Sequence, residues 1–262
     1  MRSSEASSAL VDSVQARYSP GVTPTPITKH PAKFSDPILS RLEGMLASER
    51  SRVRKAGLLP ASAPLLVLDP FAGVGRIHQL ARKSIRTTGI EIEAEWAACH
   101  RNTVHADMFE WLNCDEHDDH WDVIATSPTY GNRFADHHNA QDGSTRRSYT
   151  HDIGHELQPN NSGRMHWGPA YWAFHARAYP VMLRALAPGG LLLLNVSDFY
   201  KGQQLVPAVA WHRGAAMGAG FVHGGNDARI ETDRLQGVGA ESTSARAPHE
   251  VILRLRRPGA TA

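Results

Sequence analysis

An alternation of short apolar runs with helical stretches limits what this chain can fold into. Residues 64–69 (Pro-Leu-Leu-Val-Leu-Asp) form an apolar run ending in an acid, and 121–126 and 191–196 are similar. Runs that are apolar at successive positions suit parallel strands covered on both faces. Between them, 77–83 and 93–102 read as helices, and 86–91 and 103–107 as further strands. Residues 171–186 and 205–219 read as amphipathic helices. Residues 36–55 do so ahead of the first strand, through Ile38, Leu39, Leu42, Met45 and Leu46 at helical spacing. Residues 221–232 and 249–255 read as a closing antiparallel pair. Repeated strand-then-helix units predict an α/β fold with a doubly wound, mostly parallel, seven-stranded sheet.

The chain has 262 residues, 41% hydrophobic and 21% charged, enough to bury a sizeable core and too apolar for a wholly disordered chain. Its formal charge of +2 excludes a histone-like polycation, so any nucleic-acid binding must come from local basic patches. Two cysteines, Cys99 and Cys114, cannot build a disulfide framework or a Cys-rich zinc site. No apolar run approaches the ~18–20 residues of a membrane span, and the first residues, Met1-Arg2-Ser3-Ser4-Glu5, lack an apolar signal core. The expectation is a cytoplasmic protein without a membrane anchor. Residues 1–26, rich in Ser, Pro and Thr, read as a flexible arm, and 27–258 as a single domain.

The turn after the first strand reads Asp69-Pro70-Phe71-Ala72-Gly73-Val74-Gly75. Glycines between a strand and a helix let the backbone approach a ligand closely. Glu91 ends the second strand, where an acid can hold two ribose hydroxyls. A nucleoside-containing cofactor follows from this placement. The pattern is neither the Gly-x-Gly-x-x-Gly of nicotinamide enzymes nor a Walker loop, since Arg76-Ile77-His78 follows Gly75.

These residues resemble the first motif of S-adenosylmethionine-dependent DNA amino-methyltransferases, Asp-Pro-Phe-x-Gly-x-Gly. Gly89-Ile90-Glu91-Ile92 is similar to the second motif, whose acid binds the ribose. His105-Ala106-Asp107-Met108 is similar to the third, whose Asp accepts from the adenine amino group. Ala187-Pro188-Gly189-Gly190 matches a turn found across class I methyltransferases. Lys29-His30-Pro31-Ala32-Lys33-Phe34 resembles the motif that folds over the methionine end of the cofactor. The resemblance spans about residues 29–257. It implies a Rossmann-like class I methyltransferase fold and S-adenosyl-L-methionine as cofactor. The cofactor-binding residues it implies are Phe34, Asp69, Phe71, Ala72, Gly73, Gly75, Glu91, Ile92, Asp107 and Met108.

Ser127-Pro128-Thr129-Tyr130, at the end of the fourth strand, is similar to the family's catalytic Asp/Asn/Ser-Pro-Pro-Tyr. The resemblance assigns Ser127 and the Pro128 carbonyl as acceptors for an exocyclic amine, and Tyr130 as the ring that stacks on a flipped target base. Thr129 departs from the pattern, bringing an N–H and a less constrained backbone where the family has proline. The leading Ser is more typical of cytosine-N4 than of adenine-N6 enzymes. The motif order is that of the γ-like or α-like arrangement.

A separate target-recognition domain is not expected within these residues. The aperiodic insert 131–168, too long for an idle connection, is therefore expected to grip double-stranded DNA. Arg133, Arg146, Arg147 and Arg164 are assigned to phosphates, and Tyr149 and Trp167 to stacking or wedging. The same insert holds His137, His138, His151 and His155. A metal is not expected there, because methyl transfer to an amine needs none and no cysteine is near. RNA amine methylation is the alternative substrate reading, and a non-catalytic nucleic-acid-binding protein of the same fold is a further one. Nothing points to an obligate protein partner.

Overall fold

The computed structural model describes residues 25–30, 33–131, 149–201, 204–231 and 249–259. Its centre is a sheet built on β1 (Leu65–Asp69), β2 (Ile85–Glu91), β3 (Thr103–His105), β4 (Trp121–Thr126) and β5 (Leu186–Val196), with β8 (Val222–His223), β9 (Ala228–Glu231) and β10 (His249–Arg256) at the far side. The strand order is β3-β2-β1-β4-β5-β10-β8, with β9 also pairing β10. The first five strands run parallel, whereas β10 is antiparallel to β5, from Val251 opposite Val196 to Arg256 opposite Leu191. This order, with its antiparallel strand beside β5, is the doubly wound, mostly parallel, Rossmann-like α/β architecture expected, with eight strands in the sheet rather than seven. A separate hairpin pairs β6 (Phe199–Lys201) with β7 (Gln204–Val206).

Successive residues of the central strands feed opposite layers, as the two-residue period of a strand requires. Val67, Val123, Ala125, Leu191, Leu193 and Ile252 face one core. Leu68, Ile90, Ile124, Leu192, Leu194 and Leu253 face the other. Helix α1 (Asp36–Lys55) covers the first face with Ile38, Leu42, Met45 and Leu46. It carries Asp36 in its first turn and Arg52, Arg54 and Lys55 in its last, which suits the helix dipole. Helices α5 (Pro169–Ala185) and α6 (Ala208–Gly218) cover the second face, with Ala178, Tyr179, Met182 and Ala216 buried.

Several expected helices are shorter. Residues 77–83 hold a 3-10 turn, Arg76–Leu80, because Gly75 enters it in the left-handed region (φ 73°) and Arg82 pairs back to Ile85. Of 93–102 only α2 (Ala94–Ala97) is α-helical, and Leu205 lies in β7 rather than in a helix. Residues 221–232 divide into two short strands.

Gly89, inside β2, lies directly behind the glycine turn. A Cβ there would sit 2.7 Å from Ala72 Cβ and 3.0 Å from Thr103 Oγ1. Gly89→Ala should therefore lower stability by about 1–3 kcal/mol through overpacking, read as a fall in the urea midpoint. An unchanged midpoint would mean that the turn yields freely.

Candidate functional site

The carboxyl ends of β1 to β4 bring the predicted residues to one sheet edge, where doubly wound sheets bind ligands. A cleft of about 590 Å³, counting its open mouth, lies there. Phe71, Gly73, Glu91, Ile92, Asp107 and Met108 line it, together with Ser127 and Thr129.

Glu91 is the best defined of the acids. Its Oε2 accepts from Gly73 N–H at 2.8 Å and its Oε1 from Glu93 N–H at 2.8 Å. Gly73 can donate this way because it holds φ 52°, in the left-handed region. Burial pushes the Glu91 carboxyl up to about 7, the Glu93 carboxylate adds to the rise, and the backbone amides of Glu93, Gly73 and Ile92 oppose it. Asp107 caps α3 (Met108–Leu112), accepting from Phe109 N–H at 2.8 Å through Oδ1. Its Oδ2 accepts from the Asn160 amide at 3.0 Å.

The other residues of the turn serve its shape. Asp69 is 1% exposed and accepts from Thr126 Oγ1 at 2.6 Å and Phe71 N–H at 3.1 Å, so it ties the end of β1 to the end of β4. Burial lifts its carboxyl to about 7. Ala72 is buried and donates its N–H to the Ile90 carbonyl. Asp69, Ala72 and Gly75 are not among the residues that line the cleft.

Phe34 corrects an expectation. It lies in the core under α1, in the same cluster as Leu39, rather than in the cleft. Phe34 immediately precedes the helix cap Ser35 and Leu39 is in the first turn, the spacing of a hydrophobic staple. The N-terminal segment reaches the cleft instead through His30, whose ring lies edge-on to Trp96 with centroids 4.4 Å apart.

Ser127 follows β4 and sits beside Asn195 of β5, in line with the Thr126–Leu194 register. Asn195 Nδ2 donates to Glu250 Oε2 at 2.6 Å and to Tyr130 Oη at 3.0 Å. Tyr130 Oη donates to Glu250 Oε2 at 2.9 Å and lies 3.2 Å from Ser127 Oγ. Thr129 uses the hydroxyl that proline lacks to reach Ser162 Oγ at 3.0 Å, and its carbonyl accepts from Tyr171 Oη at 2.5 Å. The loop is therefore held by two tethers, one through the Thr129 hydroxyl and one through its carbonyl. Tyr171 is held in turn by His212, whose other nitrogen meets Tyr179 Oη. The side chains of Tyr171, Tyr179 and His212 are fully buried. Asn195, Glu250 and His212 carried no motif. The only signal for Asn195 was a polar residue interrupting an apolar strand.

The insert begins and ends at one place. Gly131, at φ 64°, accepts from Trp167 N–H at 2.7 Å. Arg133, Arg146, Arg147, His137 and His138 lie outside the described residues. The described part, from α4 (Tyr149–Ile153) onward, folds back over the cleft rather than standing clear of it. Gln158 N–H and Asn161 Nδ2 both donate to Glu93 Oε1, at 2.8 and 2.7 Å. Tyr149 was assigned to stacking or wedging, but it is 4% exposed and packs on Trp96 and His30 as a cleft wall. Arg164 is exposed and donates to the Leu157 carbonyl at 2.9 Å. Trp167 is half-buried among Tyr171, Trp172, Phe199 and Trp211, which its aromatic area favours over exposure. Among the described residues no helix is long and apolar enough to cross a membrane, and no three His, Cys, Asp or Glu side chains come together as metal ligands.

No family model and no curated protein matches the chain. Solved structures do. TTHA0409 of Thermus thermophilus, a candidate DNA modification methylase, is similar in two forms. The selenomethionine form shares 26% identity over 36% of this chain and 39% of its own, with TM-score 0.29. The complex with S-adenosyl-L-methionine shares 19% over 55% and 51%, with TM-score 0.35. A SAM-dependent methyltransferase of Agrobacterium tumefaciens shares 13% over 86% and 63%, with TM-score 0.47. An RNA methyltransferase of Salinibacter ruber, in complex with S-adenosyl-L-homocysteine, shares 13% over 88% and 97%, with TM-score 0.41. The chain spans about half or less of the length of the TTHA0409 structures it matches.

Proposed function

We propose that this protein transfers a methyl group from S-adenosyl-L-methionine to an exocyclic amine of a DNA base, cytosine N4 or adenine N6. The observation that carries the proposal is the meeting of Ser127 with Glu91 and Asp107 in one cleft. The donor set fits the cofactor. Glu91 supplies acceptors for ribose hydroxyls, Asp107 Oδ2 an acceptor for an adenine amine, and Phe71, Ile92, Met108 and Phe174 apolar walls for a purine. When bound, the cofactor supplies an electrophilic methyl group on a cationic sulfur.

The chain's own residues do the rest. An exocyclic amine is a poor nucleophile because its lone pair is delocalised into the ring. Ser127 Oγ and the Pro128 carbonyl accept from its N–H groups and so help localise that pair as nitrogen rehybridises. Tyr130, with its hydroxyl anchored, offers a ring of fixed orientation against which a flipped base stacks; stacking offsets part of the few kcal/mol of unpairing. Holding the amine in line with the methyl group accounts for most of the acceleration. Arg133, Arg146 and Arg147 are proposed as phosphate contacts.

Glu91 gives this proposal a pH signature. Hydroxyl donors and a cationic ligand favour its ionised form, and its carboxyl in the free protein titrates near 7. Cofactor affinity should then rise as pH rises through 7, with release of about half a proton at pH 7. Calorimetry in buffers of different ionisation enthalpy measures this, and proton uptake would refute the role of Glu91. Nucleoside mass spectrometry on cells expressing the protein tests the substrate. N4-methylcytosine or N6-methyladenine in DNA is expected. Methylated bases in RNA alone would move the activity to RNA, and neither, with cofactor bound, would favour a non-catalytic binder.

A further inference from the structure

We propose that Glu250 is the terminal proton acceptor of the transfer, reached from the amine through Ser127 and Tyr130. This deepens the function proposed above and rests on it. A methylated amine leaves the reaction with one proton too many, and no carboxylate occupies the leading position of the catalytic motif to take it. The structure offers a route. Tyr130 has one hydroxyl proton, and Glu250 Oε2, 2.9 Å away, is its acceptor. Asn195 Nδ2 donates to the Tyr130 oxygen at 3.0 Å and to the same carboxylate oxygen at 2.6 Å, so it fixes both from the floor of the site. With the Tyr130 proton committed to the carboxylate, the 3.2 Å contact between Ser127 Oγ and Tyr130 Oη has one consistent direction: the serine donates. Asn195 Nδ2 also donates to Ser127 Oγ, at 3.5 Å, so the serine turns its remaining lone pair rather than its proton to the cleft, which is what an amine N–H requires.

The same three bonds carry the proton. As the carbon–sulfur bond breaks and the nitrogen–carbon bond forms, the sulfur leaves as a neutral thioether and the amine nitrogen carries the positive charge. Its proton passes to Ser127 Oγ, the serine proton passes to Tyr130 Oη, and the phenol proton passes to the Glu250 carboxylate. The net change is one N–H lost and one neutral carboxyl gained, with Ser127 and Tyr130 restored. Glu250 is half-buried, at the start of β10, so it can return the proton to water. The antiparallel strand thus contributes to a site that parallel strands otherwise build.

The test compares Glu250→Gln, Glu250→Ala, Ser127→Ala and the double variant Ser127→Ala/Glu250→Gln with the wild type. Single-turnover transfer of labelled methyl to genomic DNA and to total RNA is measured, with cofactor affinity by calorimetry. Glutamine can still accept from Tyr130 through its carbonyl but cannot take the proton. Glu250→Gln should therefore slow transfer about 10²-fold, the usual scale of acid–base catalysis, with cofactor affinity nearly unchanged. Added formate should restore part of the rate to Glu250→Ala. The double variant should be no slower than the slower single variant, because both act on one chain of bonds. Wild-type rates in Glu250→Gln, or no rescue of Glu250→Ala by formate, would overturn the relay alone. Transfer by the wild type to neither polymer would overturn the underlying function, and the relay with it.

Discussion

Ser127→Ala is expected to slow methyl transfer by about 10²–10³-fold, the scale of removing one preorganised polar group from a reacting centre. Cofactor affinity should barely change, because the acids assigned to the cofactor, Glu91 and Asp107, are held by other partners. Glu91 is fixed by the Gly73 and Glu93 amides, and Asp107 by Phe109 N–H and Asn160. Loss of the hydroxyl removes the acceptor facing the amine and breaks the contact to Tyr130 Oη, while Tyr130 keeps Glu250 and Asn195. The loop itself should hold, since its tethers run from Thr129 to Ser162 and Tyr171. The expected pattern is thus a fall in kcat with KM for nucleic acid little altered, which marks an interaction made in the transition state. Normal turnover in Ser127→Ala would place the reacting centre elsewhere.

Mild acid is expected to destabilise the fold. Burial pushes His78 down to about 3, His117 to about 4 and His212 to about 3, and it lowers His175 as well. All four are 7% exposed or less. In the unfolded chain each titrates near 6.5, so below that pH the unfolded state binds protons that the folded state refuses. Their contribution is fully present above about pH 6.5 and is lost as pH falls toward 3 to 4. Asp69 and Glu91 act in the opposite sense. Their carboxyls, lifted to about 7, take up protons in the folded state first, so their contribution is present at low pH and is lost as pH rises through 7. Glu93, also raised by burial, adds to that side. Each group is worth up to about 1.4 kcal/mol per pH unit. The histidines outnumber the raised carboxylates, so a net loss of stability is expected as pH falls from about 6.5 to 4.5. Urea unfolding at pH 7 and pH 5 measures it, and equal or greater stability at pH 5 would contradict the burial of these rings in neutral form. His117→Phe sharpens the test. His117 stacks on Trp111 with both ring nitrogens lacking hydrogen-bond partners. The phenyl ring should raise stability at pH 5 more than at pH 7.

Which histidines are interior is decided in three dimensions. The chain has 15 histidines, His117 and His175 among them. In the fold, these two and His212 are interior rings. Their burial depends on which helix faces the sheet, and spacing along the chain does not carry that. Phe34 was misplaced for a similar reason. A phenylalanine before a helix cap serves a staple or a ligand equally well by sequence, and only the packing of α1 on the sheet decides between them.

What the sequence by itself determined was whatever rests on local signals: the strand-helix alternation, the sheet edge carrying Glu91, Asp107 and Ser127, and the glycine turn. Apolar period and glycine conformation act over a few residues, so they are written in neighbouring positions. Only the tertiary structure decided that Asn195 and Glu250 join Ser127 and Tyr130, that Tyr171 and His212 hold Thr129, and that residues 149–164 fold over the cleft. These are contacts between residues up to 120 positions apart. They exist because an antiparallel strand returns beside β5 and brings its first residues to the same edge. No local pattern encodes that juxtaposition, because it is a property of the closed sheet.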